Sequence, residues 1–184
     1  MAVARYDGHA DWYDDWRKPH VASTAREVAD LLGPGEGLCL DLGCGTGLFL
    51  ETLAATGRAV VGLDRSADQL RIACGRSRRI LQADAAALPF RDLTFTAVAA
   101  LWISTDVDDF ASVLTEAARV LTPGWHEEAP WWGAFVRKRV GMSHHSLADV
   151  LNAFVRTGLA IEHVAELGDR PVPDNLAIRA RKGR

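Results

Sequence analysis

The stretch Leu38–Leu53, LCLDLGCGTGLFLETL, decides the reading of this chain: an apolar run closes on Asp41, glycines follow at 43, 45 and 47, and a helical pattern begins behind them. A glycine-rich turn between a strand and its helix lets a ligand press against bare backbone, because a Cβ there would fill the space and restrict the backbone angles. The turn therefore predicts a ligand site in the crevice at the carboxyl end of a sheet. A dinucleotide fingerprint, G-x-G-x-x-G, requires glycine three places after Gly45, and Leu48 stands there. The order D-x-G-x-G-x-G instead places a carboxylate beside the turn, where it repels pyrophosphate and suits a cationic, amine-bearing ligand.

Working outward, residues 20–32 carry Val21, Ala25, Val28, Ala29 and Leu32 at helical spacing, and Gly33-Pro34-Gly35 stops that helix. LCLDL reads as a short buried strand, and the pattern from Thr46 through Leu50, Leu53 and Ala54 as a helix ending near Gly57. AVVGLD is a second strand, SADQLRIAC a helix capped by Ser66, RILQAD a third strand and TFTAVAALWI a fourth. Phe110, Val113, Leu114, Ala117 and Leu121 form one apolar stripe, closed by Thr122-Pro123-Gly124. SLADVLNAFVRTG is a further helix between Ser146 and Gly158, and LAIEHVAEL and NLAIRARK a closing pair of strands. Alternating strands and helices, with strands apolar on both faces, predict an α/β fold: a doubly wound, Rossmann-like sheet, mainly parallel with a C-terminal antiparallel strand.

A chain of 184 residues, 48% hydrophobic, suits one domain. Residues 1–35 are expected to form an N-terminal helical cap, 36–124 the ligand-binding half and 125–184 the opposite half. Lacking any run of about 18 apolar residues, and opening without the uninterrupted apolar centre of a signal peptide, the chain is expected to be cytoplasmic with no membrane span. The three cysteines, none in a C-x-x-C pair, indicate neither a disulfide framework nor a metal site. A net charge of -3 gives no general attraction to nucleic acid, and the basic groups near Arg76, Arg137 and the tail read as solvated faces.

Beyond the turn, Asp64 ends the second strand about 20 residues on, where an acidic side chain accepts hydrogen bonds from ribose hydroxyls. Asp84 ends the third, and LPF followed by RDLTF comes next. Together these motifs, in order over residues 6–124, resemble the class I S-adenosylmethionine-dependent methyltransferases, in particular the small-molecule enzymes of the ubiquinone and menaquinone type. The resemblance implies S-adenosyl-L-methionine as cofactor, its methionine end held by Asp41, Gly43, Gly45 and Gly47. It implies the ribose on Asp64 beside Arg65, the adenine on Asp84 and the Ala85 amide, with Leu101 completing the cleft. The opening YDGHADWYDDW resembles the family's first segment, whose tyrosine packs over the cofactor; Tyr13 is the positional match, while Trp12, Tyr13 and Trp16 equally fit a plain amphipathic helix face. Thr96 stands where the family has Asp.

Methyl transfer from a sulfonium requires alignment and exclusion of water, and needs a base only when the acceptor carries a proton. His126, His144 and His145, from the region where the family builds its acceptor pocket, are candidate bases. LWISTD lacks the N/D-P-P-F/Y sequence of enzymes acting on exocyclic nitrogens, so a small-molecule acceptor methylated on oxygen or carbon is expected. Trp125, Trp131, Trp132 and Phe135 could line its pocket, or form a lid or a packing cluster. After Gly124 the chain reads GWHEEAPWWGAFVRKRVGMSHH, with no strong buried strand. Ala134–Val140 could supply it only by placing Arg137, Lys138 and Arg139 in a central position. The fifth strand is therefore expected to be missing or atypical, giving six strands or a homodimer that covers the edge. Two other functions fit parts of this pattern: a non-catalytic S-adenosylmethionine-binding protein or partner subunit, and an NAD-dependent oxidoreductase, disfavoured by Leu48 and by the residues after Asp84.

Overall fold

The computed structural model describes residues 4–123, 126–128, 145–167 and 175–183. Two N-terminal helices, α1 (Ala10–Arg17) and α2 (Val21–Leu32), precede β1 (Leu38–Leu42), α3 (Leu50–Ala54), β2 (Ala59–Asp64), α4 (Ala67–Ala73), β3 (Ile80–Gln82) and β4 (Ala97–Ala99). The chain continues through α5 (Phe110–Val120), β5 (His126–Glu128), α6 (Leu147–Thr157), β6 (Leu159–Leu167) and β7 (Asn175–Lys182). One seven-stranded sheet has the order β3-β2-β1-β4-β5-β7-β6. β1 to β5 run parallel to one another, and β7 is antiparallel to both β5 and β6. The doubly wound fold is the one expected.

The fifth strand is present and atypical, so only the expectation of a missing strand is corrected. His126–Glu128 forms it, pairing Glu127 and Glu128 with Val98 and Ala99 on one side and all three residues with Arg179–Arg181 on the other, while Ala134–Val140 lies outside the described residues. Seven strands within one chain remove the reason for six strands or for a partner covering the edge. A strand whose pairing is backbone N–H to C=O needs no apolar signature over three residues, which is why the charged triplet was unreadable as one.

The sheet is apolar on both faces. Leu40, Leu42, Leu63, Val98 and Ile178 pack with Phe110, Val113, Leu114, Ala117, Val150 and Phe154 of α5 and α6. On the other face Cys39, Val60, Ala97 and Ala99 meet Val28, Leu32, Leu53, Leu70 and Ala73 of α2, α3 and α4. At about 25 cal/mol per Å² of apolar surface removed from water, such layers supply the main drive to fold. Helix ends follow the expected chemistry: Ser66 accepts from the Gln69 amide, Asp109 caps α5 through Ser112 N, and Ser146 with Asp149 forms a full capping box closed by Gly158 at φ 72°.

Three elements are shorter than their patterns. Gly47, at φ 81°, keeps the chain in a turn, so α3 starts at Leu50 rather than Thr46. β3 stops at Gln82 and leaves Asp84 in the following loop. β4 covers only Ala97–Ala99, because Trp102 takes a left-handed conformation (φ 61°) and Ile103–Thr105 winds into a 3-10 turn. Thr96, the departure from the family pattern, donates from Oγ1 to the carbonyls of Glu36 (2.6 Å) and Leu38 (3.1 Å), pinning the entry of β1 to that of β4. The LPF…RDL segment is fixed by Arg119 of α5, which donates to the carbonyls of Leu88 and Phe90 and to Glu116 and Asp92.

Candidate functional site

The turn after β1 is hung on the end of β2. The amides of Gly43 and Cys44 both donate to the Leu63 carbonyl (2.8 and 2.9 Å), and the Gly45 amide donates to Asp64 Oδ2 at 2.9 Å. Asp64 Oδ1 accepts from the Ser66 amide at 2.8 Å, so one carboxylate organises both the glycine turn and the start of α4. The three glycines all have positive φ, yet they serve different ends. A Cβ on Gly43 would sit 2.9 Å from Ile103 Cδ1, and one on Gly47 would sit 2.8 Å from Leu50 Cδ1; these positions are bare for packing. A Cβ on Gly45 would meet nothing nearer than Gln69 Oε1 at 3.4 Å, so its bareness keeps open space in front of the turn.

That space is a cavity of ≈ 460 Å³ at the carboxyl ends of the parallel strands, within the range that suits a small ligand. Gly43, Gly45, Asp64, Arg65, Asp84, Ala85, Leu101 and Tyr13, all expected at a cofactor site, line it together. Gly47 and Asp41 do not line it. Gly47 faces Leu50 and Ala73. Asp41 is 2% exposed on the central strand between β2 and β4, and burial, reinforced by the negative charge of Asp64, pushes its carboxyl up to about 7. Burial likewise raises Asp64, while the amides of Ser66, Gly45 and Arg65 pull it back down. Asp84 is half exposed, accepts from the Ala86 amide at 2.9 Å and lies 4.0 Å from Arg65 Nη1.

The N-terminal segment crosses the cavity mouth and is tied down on both sides. The amides of Gly8 and Ala10 donate to Asp68 Oδ2, Ser66 Oγ donates to Asp7 at 2.6 Å, and Arg5 pairs with Asp108. Tyr6 and Tyr13 meet edge to face with ring centroids 5.2 Å apart, and both hydroxyls are pushed above their ordinary range by burial. Arg76 clamps Asp14 with two contacts of 2.7 and 2.8 Å, fixing α1 against the turn. Arg17, buried at the end of α1, stacks its guanidinium 4.0 Å from the Trp102 ring centroid, which supports the left-handed turn there.

The candidate bases fare differently. His145 places Nε2 3.1 Å from the Val107 carbonyl and does not line the cavity; the His126 backbone pairs with Arg181 in β5; His144 lies outside the described residues, as do Trp125, Trp131, Trp132 and Phe135. Two residues that the sequence reading passed over do line it: Tyr6 and Asp106, joined by a 3.2 Å hydrogen bond from the Tyr6 hydroxyl to Asp106 Oδ1. Burial pushes the Asp106 carboxyl up to about 7, and the Tyr6 hydrogen bond opposes that rise. The signal for Tyr6 was the repeated Tyr-Asp pair, 6–7 and 13–14, each aspartate a tether and each tyrosine a wall of the cavity.

The residues present suit a cationic nucleoside cofactor: carboxylates lining the cavity, a bare-backbone turn and an aromatic cover. Comparison with known proteins agrees. Residues 40–125 match a family described as "Methyltransferase domain". A demethylmenaquinone methyltransferase of Corynebacterium urealyticum is 41% identical over 109 residues, covering 59% of this chain and 44% of that protein. One from Tropheryma whipplei is 39% identical over 92 residues, covering 46% and 37%. Among solved structures, a protein of Thermotoga maritima described as a possible histamine N-methyltransferase covers 97% of this chain and 98% of its own at TM-score 0.78 and 22% identity. Geranyl diphosphate C-methyltransferase of Streptomyces coelicolor, solved with S-adenosyl-L-homocysteine, covers 88% and 79% at TM-score 0.73 and 19% identity.

The chain thus has the fold of these methyltransferases, and its segment 40–125 is similar to the methyltransferase domain family. It spans less than half the length of the demethylmenaquinone methyltransferases it matches. No helix among the described residues is long and apolar enough to cross a membrane.

Proposed function

We propose that this protein binds S-adenosyl-L-methionine in the cavity behind the Gly43–Gly47 turn and transfers its methyl group to a small molecule, on oxygen or carbon. The observation that carries the reading is the bond from Gly45 N to Asp64, which leaves bare backbone and a half-buried carboxylate facing one cavity. Asp64 would receive the ribose hydroxyls, Asp84 and the Ala85 amide the adenine, and Asp41 would provide negative charge beneath the methionine ammonium. The cofactor supplies an electrophilic methyl group on a positively charged sulfur. This chain contributes alignment, exclusion of water by Tyr6 and Tyr13, and a negative potential that holds the cationic ligand. The absence of an N/D-P-P-F/Y sequence after β4 supports oxygen or carbon over an exocyclic nitrogen.

Calorimetric titration with S-adenosylmethionine and S-adenosylhomocysteine tests the reading. Micromolar binding of both is expected; a folded protein that binds neither refutes it.

A further inference from the structure

Of the five aspartates that line the cavity, Asp108 pairs with Arg5 and Asp109 caps α5, which leaves Asp106 with neither a cofactor-binding nor a capping duty. Asp64 has both oxygens engaged by backbone amides, Asp84 is held by Ala86 N, and Asp41 does not line the space. Asp106 does line it, on the loop after β4. Its Oδ1 accepts from the Tyr6 hydroxyl, and its Oδ2 accepts no hydrogen bond among the described residues. A carboxylate held through one oxygen by a phenol, with the other oxygen open inside a small cavity, is built to receive a second hydroxyl.

Resting on the methyl-transfer reading above, we infer that Asp106, positioned by Tyr6, takes the proton from a hydroxylated acceptor: a phenol, hydroquinone or enol. With an oxygen acceptor, the O–H proton passes to Asp106 Oδ2 and the oxygen lone pair forms the new O–CH₃ bond. The methyl–sulfur bond breaks, and its electron pair stays on sulfur. With a carbon acceptor the same O–H proton passes to Asp106, and the released pair forms the carbonyl while the conjugated carbon takes the methyl group. That carbon then loses its hydrogen to water as a proton and the carbonyl oxygen regains one, restoring the enol or ring. Both outcomes require the same base at the same place.

The surroundings suit the task. Tyr6 and Arg5 of the N-terminal segment favour the ionised form of Asp106, while Asp64 at the end of β2 and burial oppose it. Tyr13 of α1 adds a neutral hydroxyl nearby, itself pushed up partly by Asp106. The balance places the carboxyl near 7, where a base is both ionised enough to act and basic enough to accept. His145 does not compete for the role, since its Nε2 rests on the Val107 carbonyl.

The test follows transfer of a tritiated methyl group from S-adenosylmethionine to 1-naphthol, to reduced 1,4-naphthohydroquinone and to acetylacetone, with benzylamine as the amine probe, across pH 5 to 9 (about two units either side of neutrality). A hydroxylated probe is expected to be methylated and benzylamine not, with the rate rising with pH as Asp106 ionises. Asp106→Asn is expected to lower kcat by about 10²- to 10³-fold and to flatten the acid limb, while S-adenosylhomocysteine affinity stays within about threefold. Tyr6→Phe, which removes the bond favouring the carboxylate, is expected to move the acid limb to higher pH, with a smaller loss of kcat on the alkaline side than in Asp106→Asn.

Binding of S-adenosylhomocysteine with transfer to benzylamine alone, or to no hydroxylated probe, overturns the assignment. So does an Asp106→Asn protein of undiminished activity, or an acid limb that stays put in Tyr6→Phe. Failure of the wild-type protein to bind the cofactor would instead refute the methyl-transfer reading beneath it.

Discussion

Asp64 performs two jobs with one carboxylate, bracing the glycine turn through Gly45 N and the start of α4 through Ser66 N while lining the cavity. Asp64→Ala is therefore expected to weaken S-adenosylhomocysteine binding by about 1.5 to 3 kcal/mol, the scale of charge-assisted hydrogen bonds, as read by calorimetry. Gly45→Val should abolish binding outright, because a branched side chain at φ 55° is strained and projects into the space kept open there. These residues were legible in advance, since a glycine turn and a strand-terminal Asp carry their chemistry in their order along the chain. Asp106 was not, because it meets Tyr6 across 100 positions, and Tyr6 carried no signal beyond the repeated Tyr-Asp pair. Of the candidate histidines, His145 turns its Nε2 to the Val107 carbonyl and His144 lies outside the described residues. They were chosen for the chemistry of their side chain, which says nothing about where the chain turns it.

At the scale of elements, capping and periodicity read true. Ser146 was visible as the start of a helix, and its hydroxyl closes a reciprocal box with Asp149. Ser146→Ala should cost about 1 kcal/mol, seen as a lower denaturant midpoint with an unchanged slope. Element ends read less well. Strand patterns continue through Leu101 and Ile103 as apolar sequence, but the left-handed Trp102 ends β4 early and turns the chain toward the cavity. The burial of Arg17 against that ring supplies the tertiary contact that overrides local preference. β5 was missed because three residues with two glutamates carry no pattern, and the partners that make them a strand lie on β4 and β7.

For the whole molecule, three carboxylates with raised pKa share one neighbourhood, Asp41 and Asp106 at about 7 and Asp64 in the same direction. Between the ordinary value of 3.8 and about 7, folded Asp41 keeps a proton that the unfolded chain has released. These groups therefore make the ligand-free protein less stable as pH rises through that window. A cationic ligand favours the ionised forms, so S-adenosylmethionine should bind more tightly toward neutral pH and release protons as it does. Thermal midpoints with and without the cofactor, from about pH 5 to 8, should show the unliganded value falling and the increment growing. The short fifth strand has a consequence of another kind. Among the described residues, the parallel half and the β6–β7 hairpin are zipped edge to edge through the three residues of β5, with α5 and α6 packed across the seam. Amide deuteration should accordingly divide the molecule into two cooperative units. β1 and β2 should exchange only on global unfolding, while α6 and the hairpin open together at lower free energy and take up label first.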